Sequence, residues 1–241
     1  MIKNNSGDLP NFSQRNNEFT MKVTGYLGTS VMKNIYMCNV TSMCMCATYN
    51  GYPEESMPKG KYSQVEDNFC DYMLHDDEVI KFYADKHPKE YKEWINGHKN
   101  AYWPNEWHDV LTFAFNKWMG RPIDTFQEMY NIKSFITDLN NGLSLPTSMK
   151  FGELGHIIGV KGFKYTGDES IIQDYLSGKT DKLLDDFVFI YDDPYGKCTD
   201  FYNGTYSNVS GKDCEIKYKD FIATSKPTNK ELVMCHVMKH A

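Results

Sequence analysis

The sequence predicts an α+β fold in which an amino-terminal helix rests on a carboxy-terminal antiparallel sheet, and three observations carry that prediction. From Cys38 to Tyr49, apolar residues recur at helical spacing and Gly51 supplies a stop. From about residue 63 to 141 the chain is helix-like, rich in Trp, Tyr and Phe, and punctuated by helix-start signals. Beyond Leu143 the character changes to short apolar runs bounded by Gly, Pro and Asp, which is the signature of strands.

The 241 residues are expected to form one domain spanning 1–241, with the helical stretch of about 60–142 as an insertion. The formal charge of −6 provides no electrostatic grip on nucleic acid or on an anionic membrane surface, so neither is expected as a partner. No stretch approaches the ~20 apolar residues of a membrane span, and "MIKNNSGDLPNF" has no signal-peptide core. The expectation is a cytoplasmic chain when synthesised, without membrane insertion. Seven cysteines at irregular spacing in a reducing compartment argue against disulfides.

Taken in order, residues 1–36 read as extended or looped chain leading to the first helix. That helix carries Val40, Met43 or Cys44, and Ala47 at one spacing and is expected to bury one face. Four or five helices are expected over 63–141, started at Ser63, Asp76, Pro88 and Pro104, with a capping box of Thr125 and Glu128. The strand candidates are "LSLPTSM", "GHIIGVKGFKY", "DDFVFIYDDPYG", "CEIKYKDFI" and "LVMCHVM".

Three cysteines crowd the first helix. At ~100° per residue, Cys44 and Cys46 lie roughly 240° and 80° around from Cys38, so one helix cannot aim the three sulfurs at one ion, and no metal site is expected. Cys44, Cys46, Cys70, Cys198, Cys214 and Cys235 read as small buried hydrophobes. Cys38 differs, because it opens the helix, where unpaired N–H groups and aligned peptide dipoles favour an anion. Whether it is a nucleophile depends on a base and an orienting group reaching it.

Of seven histidines, His75, His87, His98 and His108 fall in or between polar helices, where a solvated surface histidine is the default, and His236 and His240 are set aside as near a terminus. His156 instead opens the apolar run "GHIIGVKGF". The following strand ends in Asp192 and Asp193 before Pro194. If the two runs pair antiparallel, the start of one meets the end of the other, and the imidazole meets the acids. A carboxylate there can fix the tautomer and leave the second ring nitrogen for a thiol. The tetrapeptide D-P-Y-G is equally a good type I turn.

Together "CNVTSMCM", "GHIIGVKGF" and "DDPYG" resemble the nucleophile segment, histidine strand and aspartate turn of papain-like cysteine peptidases related to the bacteriocin-processing (double-glycine leader) peptidases. The resemblance covers about 10–50 and 143–222. It implies a papain-like fold, Cys38 as nucleophile, His156 as general base and then acid, and Asp193 as orienter with Asp192 as the fallback. Such enzymes hold the oxyanion with a glutamine amide upstream of the cysteine. Six residues before Cys38, the spacing of the closest relatives, stands Met32, which cannot donate. "NFSQRNN" resembles the more distant glutamine segment, making Gln14 the first candidate donor and Asn34 the second.

The resemblance implies a thiol hydrolase of peptide bonds that needs no cofactor. Similar proteins are often encoded by bacteriophages and cut peptidoglycan cross-linking peptides, so a wall peptide or a protein substrate is expected. An acyl transferase using the same thioester, or a peptidase fold kept as a binding protein, are the competing expectations.

Overall fold

In the computed structural model, which describes residues 1–4, 9, 12–180, 187–227 and 232–241, the chain opens with strand β1 (Ile2–Asn4) and a hairpin of β2 (Met21–Gly25) and β3 (Gly28–Met32). Helix α1 (Cys38–Tyr49) follows, then α2 (Val65–His75), α3 (Asp77–Lys86), α4 (Pro88–Ile95) and α5 (His108–Trp118). Next come β4 (Asp124–Asn131), α6 (Ile132–Asn140), β5 (Leu145–Phe151), β6 (Leu154–Tyr165), α7 (Glu169–Leu176) and β7 (Phe187–Asp192). The chain closes with β8 (Cys198–Asp200), β9 (Thr205–Tyr206), β10 (Cys214–Lys217), α8 (Tyr218–Thr224) and β11 (Leu232–Met238). Among the described residues no helix is long and apolar enough to cross a membrane.

Helix α1 ends as its sequence predicts. Gly51 takes φ +92°, its N–H reaches Thr48 O at 3.2 Å, and Tyr52 N–H reaches Ala47 O at 3.0 Å, the two bonds of a Schellman cap. The expectation of a single buried face is corrected: every residue from Asn39 to Tyr49 is buried, and Cys38 alone keeps some exposure. A helix buried on every side, its polar Asn39, Thr41, Ser42 and Thr48 included, lies inside the fold between two layers. Its approach to β6 depends on Gly159, where a Cβ would lie 2.6 Å from Met45 Cε and 3.0 Å from Cys46 Sγ.

The main sheet runs β10-β7-β6-β5-β11-β4, with β1 also paired to β6, and every pairing is antiparallel. Mixed helix and antiparallel sheet make this an α+β protein. Because successive strand residues face opposite sides, Gly159 of β6 faces α1 while Ile158 and Val160 enter a second core. There Phe135 of α6, Phe189 of β7 and Phe221 of α8 meet at ring separations of 4.2–5.9 Å. The first core lies between α1 and helices α2, α3, α4 and α5.

Two local expectations are corrected. Thr125 and Glu128 do not cap a helix; they lie in β4, which pairs with β11 in register from Met238↔Asp124 to Leu232↔Asn131. Ladder pairing outweighs the local capping pattern, and the helix starts later, at α6, where the Asn131 side chain accepts from Lys133 N–H at 2.8 Å. "CEIKYKDFI" is half strand and half helix: β10 ends at Lys217 and α8 turns Phe221 into the second core. The five helices α2–α6 match the number expected for the middle segment, and α7 escaped the sequence reading.

Candidate active site

Cys38 is the first residue of α1, preceded by Met37, whose carbonyl accepts the first helical bond, from Thr41 N–H at 2.9 Å. Its own N–H therefore has no intrahelical acceptor. The antiparallel pairing of β6 with β7 sets Gly159 opposite Asp192. His156, three residues before Gly159, consequently shares an end of the sheet with the residue that follows Asp192. The His156 Nε2 atom lies 2.7 Å from Asp193 Oδ1, and the Cys38 thiol is close enough to act on the ring electrostatically. With Nε2 committed to the carboxylate, Nδ1 is the nitrogen left for sulfur.

Asp193 both forms the turn and contacts the ring. Its Oδ1 accepts from Tyr195 N–H at 2.8 Å as well as from the imidazole, and its carbonyl accepts from Gly196 N–H at 3.2 Å. Its N–H is held by Gly211 O at 2.9 Å, an approach so close that a Cβ on Gly211 would stand 2.0 Å from Asp193 O. The Oδ2 atom is buried without a hydrogen-bond partner among the described residues. Burial of the His156 ring works against its charged form, but the Asp193 carboxylate and then the Cys38 sulfur outweigh it and push the imidazole up to about 10. Tyr206 sets its ring edge-on to His156 at 5.9 Å, and Phe151 covers another side at 6.0 Å.

The other sequence candidates separate clearly. Gln14 is buried beside this group: its N–H donates to Pro194 O at 2.9 Å and its side-chain amide to Ile35 O at 2.6 Å, tying it between the aspartate turn and the approach to Cys38. The Asn34 amide is spent on Asn17 O at 2.5 Å. Met32 is buried against Cys70. Asp192 faces away from the imidazole into a fully buried ion pair with Lys161 at 2.7 Å, and it also accepts from the Tyr49 hydroxyl and from Asp213 N–H.

The family model described as the Peptidase_C39 like family matches residues 7–221. The chain belongs to the Peptidase_C39-like family. Comparison with curated proteins and with solved structures gave no match. Membership in the Peptidase_C39-like family establishes a relationship to papain-like cysteine peptidases, and it spans both the α1 segment and the strands that carry His156 and Asp193.

In this Peptidase_C39-like chain, sequence reasoning missed a second polar chain. His108, read as solvated, and His236, set aside as near a terminus, are joined at 2.9 Å between His108 Nδ1 and His236 Nε2. His236 Nδ1 lies 2.9 Å from Asp124 Oδ2, which also accepts from Thr112 at 2.6 Å, and Ser148 Oγ lies 3.1 Å from His108 Nε2. If His236 gives its Nδ1 proton to the carboxylate, its bare Nε2 takes the His108 proton and His108 Nε2 takes the serine's. Burial, then His236, then Lys226 lower His108 to about 3. The only sequence signal was the unbroken apolar run "LVMCHVM", the mark of a strand covered on both faces, in which Cys235 and His236 are both buried. Among the described residues no three His, Cys, Asp or Glu side chains form a metal-binding group.

Proposed function

We propose that the protein is a papain-like cysteine peptidase in which Cys38, His156 and Asp193 hydrolyse a peptide bond. The observation that carries this reading is the His156 imidazole bonded to the buried Asp193 carboxylate and coupled electrostatically to Cys38, a partly exposed residue at a helix start. Cys38 attacks the carbonyl carbon as a thiolate beside the His156 imidazolium, forming the C–S bond. The oxyanion is received by Cys38 N–H and the Gln14 amide, a pairing worth roughly 3 kcal/mol of barrier per donor in comparable sites. His156 then gives its proton to the leaving amine as the C–N bond breaks, and afterwards takes one from water, whose oxygen displaces sulfur and releases the acid.

In this reading the chain acts as one catalytic unit over 1–241, with the 60–142 segment as an insertion whose helices α2–α5 back the nucleophile helix while its β4 and α6 join the main sheet and the second core. Packing supports that role: Phe69 and Phe115 of the insertion lie in the same core as Val40 and Met43 of α1. Asn39, next to Cys38, also exchanges side-chain bonds with Asn105. Within the peptide class, the cross-linking peptides of a bacterial wall are the first substrate to test, a choice that rests on the sequence resemblance.

The test is digestion of a mixed peptide pool and of purified peptidoglycan in ¹⁸O-water, with products read by mass spectrometry. Hydrolysis places one ¹⁸O in each new carboxylate and is abolished by Cys38→Ala. Capture of the acyl group by added amine in place of ¹⁸O would assign an acyl transferase, and equal products from Cys38→Ala would reject the reading.

A further inference from the structure

The turn that carries Gln14 belongs to no sheet. Residues Gln14–Asn16 form one turn of 3-10 helix, capped by the Ser13 hydroxyl, which accepts from Arg15 N–H at 3.4 Å. So short a turn has little stability of its own. The place of the Gln14 amide is therefore set by what the turn is fastened to.

One fastening is to the aspartate turn, residue against residue. The Ser13 hydroxyl and the Gln14 N–H both donate to Pro194 O, at 3.3 and 2.9 Å. Arg15, an exposed residue, lays its guanidinium over the Tyr195 ring, with Cζ 4.3 Å from the ring centre, and donates from Nη1 to Asn208 Oδ1 at 3.4 Å. A Cβ on Gly196 would stand 3.5 Å from Arg15 Nη2, so the guanidinium also lies against the next residue of the turn. The bonds from Ser13 and Gln14 meet on one oxygen, which fixes a point on the aspartate turn without fixing an angle. The arginine stack supplies the second point. A planar guanidinium suits this place, because it covers an aromatic face while its N–H groups donate sideways, which an ammonium cannot copy.

Tyr195 is in turn committed to the acid–base pair. Its N–H donates to Asp193 Oδ1 at 2.8 Å, and its ring meets Tyr206 edge-on at 4.9 Å, while Tyr206 stands edge-on to His156. We propose, on the roles assigned above to Cys38 and Gln14, that Arg15 is a positioning residue for the oxyanion site. Its stack on Tyr195 holds the turn bearing Gln14 at a set angle to the turn bearing Asp193, so that the oxyanion donor and the acid–base pair move as one body. Arg15 itself touches no reacting atom; it acts by keeping the Gln14 amide from drifting, and a displacement of about 1 Å is enough to forfeit much of a donor's effect.

The test compares two reactions of Cys38, each site mapped by mass spectrometry. Acetylation by p-nitrophenyl acetate passes through a tetrahedral oxyanion, as sulfur bonds to the carbonyl carbon and nitrophenolate leaves. Alkylation by iodoacetamide displaces iodide and forms no oxyanion. The ratio of the two rates reads the oxyanion site, and it cancels changes in thiolate content or folded fraction that a merely structural role would produce. Gln14→Ala lowers the ratio about 10²-fold. Arg15→Met lowers it about tenfold, since the donor is displaced and not removed. Tyr195→Leu matches Arg15→Met, Tyr195→Phe keeps the original ratio, and the double variant of Arg15→Met with Tyr195→Leu falls no further than either single one. A ratio that Gln14→Ala lowers and Arg15→Met leaves unchanged overturns the positioning role alone, as does a fully additive double variant. A ratio unmoved by Gln14→Ala is a separate result, which removes the oxyanion reading and the positioning role with it.

Discussion

His156 Nε2 and Asp193 Oδ1 lie 2.7 Å apart although 37 residues separate them in the chain, with the carboxylate side chain wholly buried and the imidazole 9% exposed. The pair forms because two strands far apart in sequence run antiparallel and share one end. A buried carboxylate with one unpartnered oxygen is costly, and the charged imidazole is its compensation.

That dependence gives a pH signature. The imidazole is raised from about 6.5 to about 10, so its stabilising contribution is complete below the unfolded value and is lost as pH rises through the folded one. Activity should fall on an alkaline limb near pH 10 where the general acid is lost. Asp193→Asn, keeping the acceptor but removing the charge, should draw that limb toward neutrality. A kcat/KM profile measured from pH 5 to 10.5 for both proteins checks this, and an unmoved limb contradicts it.

Thiol reactivity should follow exposure and partnership. Cys38 is partly exposed and coupled electrostatically to His156, whereas burial raises Cys44, Cys46, Cys70 and Cys235 well above the ordinary thiol range. Sub-stoichiometric iodoacetamide at pH 6.5, followed by peptide mapping, should mark Cys38 first, and His156→Ala should slow it at least tenfold. Even labelling across the seven cysteines would be the contrary result.

Gln14 is predicted to affect turnover more than folding. Removing one oxyanion donor in comparable sites costs ~10²–10³ in kcat, whereas losing its bond to Ile35 O is worth about 1 kcal/mol. Gln14→Ala should therefore depress kcat by about 10²-fold with KM little altered. A loss confined to stability, seen in urea unfolding with native kcat, would assign Gln14 to scaffolding alone.

Lys161 and Asp192 provide a stability test remote from the thiol. Their charges are fully buried at 2.7 Å, with Asp213 as a second partner of the lysine. Removing only the cation should strand a buried carboxylate, so Lys161→Met should cost ~3–5 kcal/mol. Lys161→Met combined with Asp192→Leu should recover part of it. Denaturant midpoints of the three chains decide this, and a fully additive double variant would refute the pairing.

The second histidine chain should show in acid. His108 is lowered from about 6.5 to about 3, so below pH 6.5 the unfolded chain takes up a proton that the folded one refuses. Stability is then lost progressively as pH falls toward 3. His108→Gln, which keeps one donor and one acceptor, should flatten that acid slope between pH 6 and 4 in thermal melts. An identical slope in the variant would mean that other groups carry it.

The parts of this architecture legible in the sequence were those fixed by local chemistry. Gly51 stopped α1 where its spacing indicated, Asp76 capped α3, Pro88 took the first position of α4, and the runs holding His156 and Asp193 had strand length and polar ends. What local pattern could not supply was long-range pairing. Thr125 and Glu128 carried a capping spacing, yet the partner that decides their conformation, β11, lies about 110 residues later. His108 looked solvated and His236 merely terminal for the same reason, since neither stretch shows that the other will cover it. Asp192 and Asp193 are adjacent and chemically identical, and alternation of the strand separated them: one turns to Lys161 and the other to His156.

Strand β11 sits inside the sheet, between β5 and β4, although it is the last strand along the chain. Until residues 232–238 arrive, β5 and β4 have no ladder between them, and Asp124, His236 and His108 cannot be joined. Joining β5 to β4 therefore waits on a strand about 110 residues beyond β4 in the chain, so this ladder is among the least local contacts of the fold and is expected to form late.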